Sequence, residues 1–381
     1  MKMFCMSATT VALIFCCCFD LTAQTTLNPE ISIIPRFRLE SNDGLELPAR
    51  RVFSRPQFKL EEFELAVQSY LNPYARADVF LAKAGTGEEP IEIEEAYATF
   101  LRGLPLDLNA RIGKYLAEFG KLNTVHPHGW SFLSKPLSLE RFLGEEGVND
   151  LGLSASILIP TGDVLYTRLT VDVLRGNSVA VLNPAMGVRT GGPGLIDTLS
   201  SDVYYANCGR LMMFFPVGEN SDLEIGVSGL TGIHDPYARL RFYYSNLDFK
   251  YKWKPSSYTS LVLQGEGLIN TRKVAAVPGI RIRSVPHTLT TGGFYVYGDL
   301  QFGKVFSIGA RYDWSESPYS KTDKVQGGGV FFGYYPVEET AAFRLQYQYT
   351  RTISTAAPAL VVNTIALQFM FSMGPHKAHP F

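Results

Sequence analysis

Two histidine pairs carry the residue types and spacing that could do metal chemistry. One is His126-x-His128, within "NTVHPHGW"; the other is His376-x-x-His379, within the closing "FMFSMGPHKAHPF". Zinc usually takes three or four ligands, and neutral imidazole is a common one. Each pair supplies two, and Cys208, the one cysteine beyond residue 18, stands alone. The choice at His126, His128, His376 and His379 is between metal ligation and loose surface pairs. Hydrolysis has less to stand on, because a Ser-His-acid set needs a histidine held beside a serine. All six histidines, His234 and His287 included, fall in or at the ends of expected loops or in the tail. Neither an enzyme nor a bound cofactor is expected.

The elements that must position these residues begin with a removable one. Lys2 precedes an apolar run from Val11 to Phe19, and "LTAQ" follows at residues 21–24. This pattern predicts a secretory signal peptide over residues 1–24, with an apolar core too short to span a bilayer. Cys5, Cys16, Cys17 and Cys18 leave with it, so no internal disulfide can hold the exported chain. Lys and Arg total 35 against 36 Asp and Glu, and nothing in that balance recruits nucleic acid. Aromatics make up 13% of the chain, and no later stretch reaches the ~20 apolar residues of a membrane helix. Such a chain meets a membrane with strands.

Alternation supports this. In "ISIIPRFRLE", Ile31, Ile33, Pro35, Phe37 and Leu39 share one face, while Ser32, Arg36, Arg38 and Glu40 lie mainly on the other. The pattern recurs to "VVNTIALQFMF", giving about sixteen strands. Short turns, such as Asn72-Pro73, "PTGD" and "KPSS", alternate with longer connectors over 41–56, 84–90, 115–148, 175–202, 231–240, 270–288, 315–324 and 350–358. The fold class expected is all-β: a transmembrane antiparallel up-and-down β-barrel over residues 25–373, with short periplasmic turns and longer extracellular loops. Sandwiches and propellers also use short strands. A charged face opposite an aromatic one fits water inside and lipid outside better than a dry core.

Parity assigns the lumen. Candidate pore-lining residues are Arg36, Arg38, Glu62, Glu64, Arg76, Asp78, Arg111, Lys121, Arg168, Asp172, Lys250, Lys252, Arg311 and Arg344. Sixteen strands leave an aqueous channel, in which such charges are expected to stay hydrated without buried partners. Glu95 conflicts with strict alternation from Ile91 and Ile93, which would aim it at lipid; a bulge at Glu94-Glu95 resolves the conflict. The longest connector, residues 115–148, is the third loop, and either folds inward as a constriction or stays a solvated surface loop.

"ARIGKYLAEFGKLNTVHPHGWSF", with "RFLGEEG" and the "HKAHPF" tail, resembles phosphate-selective and related porin-like outer-membrane proteins. It is closer still to bacterial porin-like proteins labelled zinc-regulated TonB-dependent outer-membrane receptors. The resemblance covers Ala110 to Gly147 and the tail, and implies a barrel in a Gram-negative outer membrane that transports small solutes or ions. A plug domain has no room, because a strand starts within about ten residues of the cleavage site. A ladder of lysines and arginines, which phosphate selectivity would need, does not dominate the lumen. Passive diffusion is the activity expected, with metal (zinc)-linked uptake as the alternative. Lipid is the expected surround and a homotrimer the expected assembly. The barrel-assembly machinery should read the aromatic last strand, ending at Phe371 or, through the tail 374–381, at Phe381.

Overall fold

A computed structural model of the chain describes residues 29–44, 53–85, 87, 90–162, 164–176, 178, 204–235, 239–274, 287–337, 340–355 and 357–375. The expected signal peptide, His376, His379 and Phe381 lie outside the described residues.

Sixteen antiparallel strands form one closed barrel in which each strand pairs with its sequence neighbours and the first pairs with the last. They are β1 (Glu30–Asn42), β2 (Gln57–Asn72), β3 (Ala75–Ala84), β4 (Glu92–Phe100), β5 (Asn109–Leu116), β6 (Asn149–Pro160), β7 (Tyr166–Leu174) and β8 (Ala206–Pro216). The second half comprises β9 (Ser221–Asp235), β10 (Leu240–Ser256), β11 (Thr259–Val274), β12 (His287–Phe302), β13 (Phe306–Ser317), β14 (Ser320–Val337), β15 (Ala341–Ile353) and β16 (Leu360–Phe371). The ring closes with Phe37 opposite Phe369 and Leu39 opposite Leu367. One further bridge, Ile33 to Met373, extends the seam before Gly374 turns the chain at φ 90°.

The strands are inside out relative to a soluble sandwich. In β10, Leu240, Phe242, Tyr244, Asn246 and Asp248 are buried inward, while Tyr243, Leu247 and Phe249 are exposed on the outer wall. Ile112, Leu153, Val227, Ile308 and Val330 continue that outer apolar band. It faces lipid, which an open sheet could not do without stranding backbone N–H and C=O groups in hydrocarbon.

The expected connector over 315–324 is corrected. β13 and β14 run on to a turn at Pro318 and Tyr319, so the short-and-long alternation fails there. Ser315, Glu316, Ser320 and Lys321 read as loop because they are polar; strands that rise beyond the apolar band into water have no reason to alternate in hydropathy.

Parity predicts that a charge on the outer wall is costly and a neutral change is not. Leu247→Arg, near the middle of β10, should destabilise the folded barrel by about 2–4 kcal/mol, whereas Leu247→Val should cost under about 1.5 kcal/mol. Equilibrium unfolding in urea with lipid vesicles would measure both.

Candidate functional site

The expectation left open for the third loop resolves inward. Residues 117–148, called L3 below, leave β5 and return to β6 through a neck closed by the Ala117 N–H donating to Val148 O at 2.9 Å. Asn123 staples that neck, its amide donating to Ala117 O at 2.8 Å and its Oδ1 accepting from the Val148 N–H at 2.9 Å. Gly120 and Gly147 take φ values of +69° and +74°, where only glycine passes without strain. A Cβ on Gly120 would also stand 2.0 Å from the Glu266 carboxylate.

L3 is apolar where it meets itself and polar where it meets the wall. Phe119, Leu122, Trp130, Phe132, Phe142 and Leu143 form a core inside the barrel with wall tyrosines Tyr115, Tyr244, Tyr295 and Tyr297. Its one α-helix, α1 (Leu137–Leu143), lies over β12 to β14. Around that core each loop segment finds a partner on the wall. The Gly120 and Leu122 N–H groups donate to Ser228 Oγ (3.0 Å) and Glu266 Oε1 (2.7 Å). Lys121 Nζ donates to Glu224 at 2.6 Å. Across the lumen, Ser131 donates to Asp299 (2.7 Å) and the Leu133 N–H to Gln346 (2.7 Å), and Arg311 donates to Ser134 O (2.6 Å).

The candidate pore residues all face inward, but most are paired with protein groups, which corrects the expectation of free lumen charges. Arg36 pairs with Glu62 at 2.8 Å, Arg76 with Asp78 at 2.9 Å and Arg311 with Asp313 at 2.8 Å. Arg168 reaches Glu118 at 3.1 Å, and Asp172 accepts from Tyr115 OH at 3.1 Å. Arg111 lies over the Tyr97 and Tyr115 rings, at 4.7 and 5.3 Å. Arg38 binds Glu61 and Leu133 O, and Arg344 binds His128 O at 2.8 Å. The physical reason is L3: once a loop packs against the wall, water is displaced and each charge needs a partner.

Three candidates, Lys250, Lys252 and Arg344, line a cavity of about 590 Å³ between L3 and β10 to β15, on the side of the short turns. Lys254 and Lys304 join them there, and Asp299 is the acid on that lining. Both added lysines sit in segments that read as turns. Arg210, buried in β8 and paired with Asp248 at 2.5 Å, is a further inward charge outside the candidate set. Its i±2 spacing from Cys208 and Met212, both buried, was the available signal.

The bulge expected at Glu94-Glu95 is present. Phe80 opposes Glu95 and Leu81 opposes Ile93, leaving Glu94 as the extra residue and turning Glu95 inward. A second bulge in β2 leaves Glu61 between Glu62 and Leu60, and Glu61 turns inward to Arg38.

The β4 bulge, together with Glu64 of β2, receives the first histidine pair. The loose surface pair expected as one alternative for His126 and His128 is not found; both are drawn into the lumen. His126 Nε2 lies 2.8 Å from Glu95 Oε1, and its Nδ1 lies 3.3 Å from Glu94 Oε2 and 3.6 Å from Glu64 Oε2. His128 Nδ1 lies 3.0 Å from Glu64 Oε2. Burial opposes charge on His126, but the carboxylates of Glu94, Glu95 and Glu64 around it outweigh burial, raising its pKa well above the usual imidazole range. His234 is buried in β9 and bonds Lys273 O at 2.8 Å, away from this cluster.

No family model matches the chain. A relative from Aquifex aeolicus (strain VF5), described as an uncharacterized protein, is 29% identical over 396 residues, covering 94% of this chain and 81% of its own. Among solved structures, the outer membrane channel DcaP of Acinetobacter baumannii is similar with a TM-score of 0.58 and 12% identity, covering 92% of this chain and 99% of that one. The anion-selective porin from Comamonas acidovorans gives 0.57 and 9%, covering 91% and 99%. OmpT, an outer membrane protein of Vibrio cholerae, gives 0.54 and 7%, covering 92% and 100%. The likeness is one of fold: the porin-type barrel.

The neck staple predicts how L3 is held. Asn123→Ala removes buried hydrogen bonds at both ends of the loop and should weaken docking by about 1–3 kcal/mol, exposing L3 to protease about 5–150 times more often. Limited proteolysis of folded barrel would show cleavage within 117–148 while β-sheet circular dichroism is unchanged.

Proposed function

We propose that this chain is an outer-membrane, porin-like channel for passive diffusion of small hydrophilic solutes, with L3 as its constriction and anions as the preferred cargo. The observation that carries the preference is the 590 Å³ cavity, where Lys250, Lys252, Lys254, Lys304 and Arg344 stand against Asp299. That imbalance acts in a confined, low-dielectric space, where fields are focused and counter-ions of the solute's sign are concentrated. One oxygen of the Asp299 carboxylate is already taken up by L3, accepting from Ser131 at 2.7 Å. Two proteins of similar fold, an outer membrane channel and an anion-selective porin, support this reading. Transport by diffusion needs no moving part beyond a loop held at one position, and the anchors across the lumen hold L3 in that way.

The test is conductance in a planar bilayer under a potassium chloride gradient. Wild-type protein should give discrete steps with a reversal potential of the sign set by chloride. Lys250→Glu with Lys252→Glu should move the reversal potential toward that of potassium, and a barrel that never conducts would overturn the channel reading.

A further inference from the structure

The three atoms Glu64 Oε2, Glu94 Oε2 and His126 Nδ1 converge from β2, the β4 bulge and L3, all within 4.8 Å of one another. Each is buried, and none has a hydrogen-bond partner of acceptable geometry. Glu64 is 2% exposed. We propose that these three side chains form a site for a divalent cation of the zinc class, which ties L3 to the barrel wall.

The geometry carries the assignment in three steps. Glu95 sits 2.8 Å from His126 Nε2, so that nitrogen donates to a carboxylate, and a cation that displaces the Nδ1 proton would take up a lone pair facing Glu64 and Glu94. A carboxylate behind a histidine is the arrangement that fixes the tautomer and raises the basicity of a metal-binding imidazole. The spacing also fits. Ligand atoms about 2.0–2.1 Å from a tetrahedral zinc ion stand about 3.3 Å apart; the separations of Nδ1 from the two carboxylate oxygens are 3.3 and 3.6 Å. Finally, the imidazole is held in place, its ring stacked at 5.0 Å from Phe80 and 5.6 Å from His128.

Charge points the same way. Glu62, Glu64, Glu94 and Glu95 crowd this quarter of the lumen, and Arg36 is the fixed cation paired within it, at Glu62. One nitrogen and two carboxylate donors suit zinc, cobalt or manganese rather than a thiolate-seeking metal. Three protein ligands leave a position for water or for His128, whose Nδ1 already lies 3.0 Å from Glu64. Because the ligands come from the wall and the loop together, the ion would bind the docked loop alone and stabilise docking by mass action.

The test uses the full-length mature barrel folded in detergent, titrated with cobalt chloride and then with zinc chloride. Wild type should bind one equivalent, give the visible absorption of four-coordinate cobalt, lose it to zinc, and resist protease in L3 when loaded. Glu94→Gln and His126→Gln should each abolish the absorption, and Glu95→Gln should weaken binding about 10–100-fold. His376→Gln with His379→Gln should leave it unchanged. Glu94→Gln is isosteric and keeps the argument testable should His126→Gln fail to assemble, with heat-shifted migration on gels reporting folding. Absence of a cobalt spectrum in folded wild type would overturn the proposal, leaving a proton-bridged ion cluster. Retention of the spectrum in both Glu94→Gln and His126→Gln would overturn it as well. Neither result bears on conductance, so the channel reading stands or falls separately.

Discussion

Pairing of β1 with β16 is the constraint on which the rest of the structure depends. In hydrocarbon no water is available to satisfy an edge strand, so the first strand must find the last. The seam does so with Arg36 to Asn42 opposite Met370 to Thr364, and with Phe37 stacked near Phe58, Phe369 and Phe371 on the outside. Closure fixes parity around the ring. It also fixes the size of the interior: sixteen strands enclose more space than wall side chains can fill. Something else must fill it or water will.

L3 fills much of it, and that changes the electrostatics of every residue it covers. A lumen charge in an open aqueous pore keeps its hydration; beneath a packed loop it needs a partner. Most inward charges accordingly belong to pairs, such as Arg210 with Asp248 and Arg311 with Asp313. Buried pairs contribute little net stability compared with apolar packing. What they supply here is position. Glu266 accepts from one backbone N–H of L3, Gln346 from another and Asp313 from a third, at well-separated strands, so a shift of the loop by one residue breaks several contacts together.

The wall was legible in the sequence because lipid imposes a local rule, one face apolar at every second residue. Even its breach was legible: Glu95 cannot face lipid, so the backbone must yield beside it. The same signal at Glu61-Glu62 passed unused, since Glu61 can be read into either face without an obvious violation. The destination of L3 was not legible. Its polar groups are satisfied by residues far away in sequence, Leu133 by Gln346 and Lys121 by Glu224, and no local pattern records such a partner. Nor does sequence parity separate a hydrated lysine from a pinned arginine, because both point inward.

The two bulges explain how a chain with a formal net charge of −1 carries a strong internal asymmetry. Regular strands alternate, so an adjacent Glu-Glu pair would send one carboxylate in and one out. A bulge turns both inward, at Glu61-Glu62 in β2 and at Glu94-Glu95 in β4, and so concentrates negative charge on one side of the ring. About half a turn of the ring away, β10 to β13 bring Lys250, Lys252, Lys254 and Lys304 to the cavity without a matching run of acids. L3 spans between these regions, placing its histidines against the carboxylates and bounding the cavity that the lysines line. The field across the lumen therefore comes from backbone irregularity and loop placement, and composition averages it away.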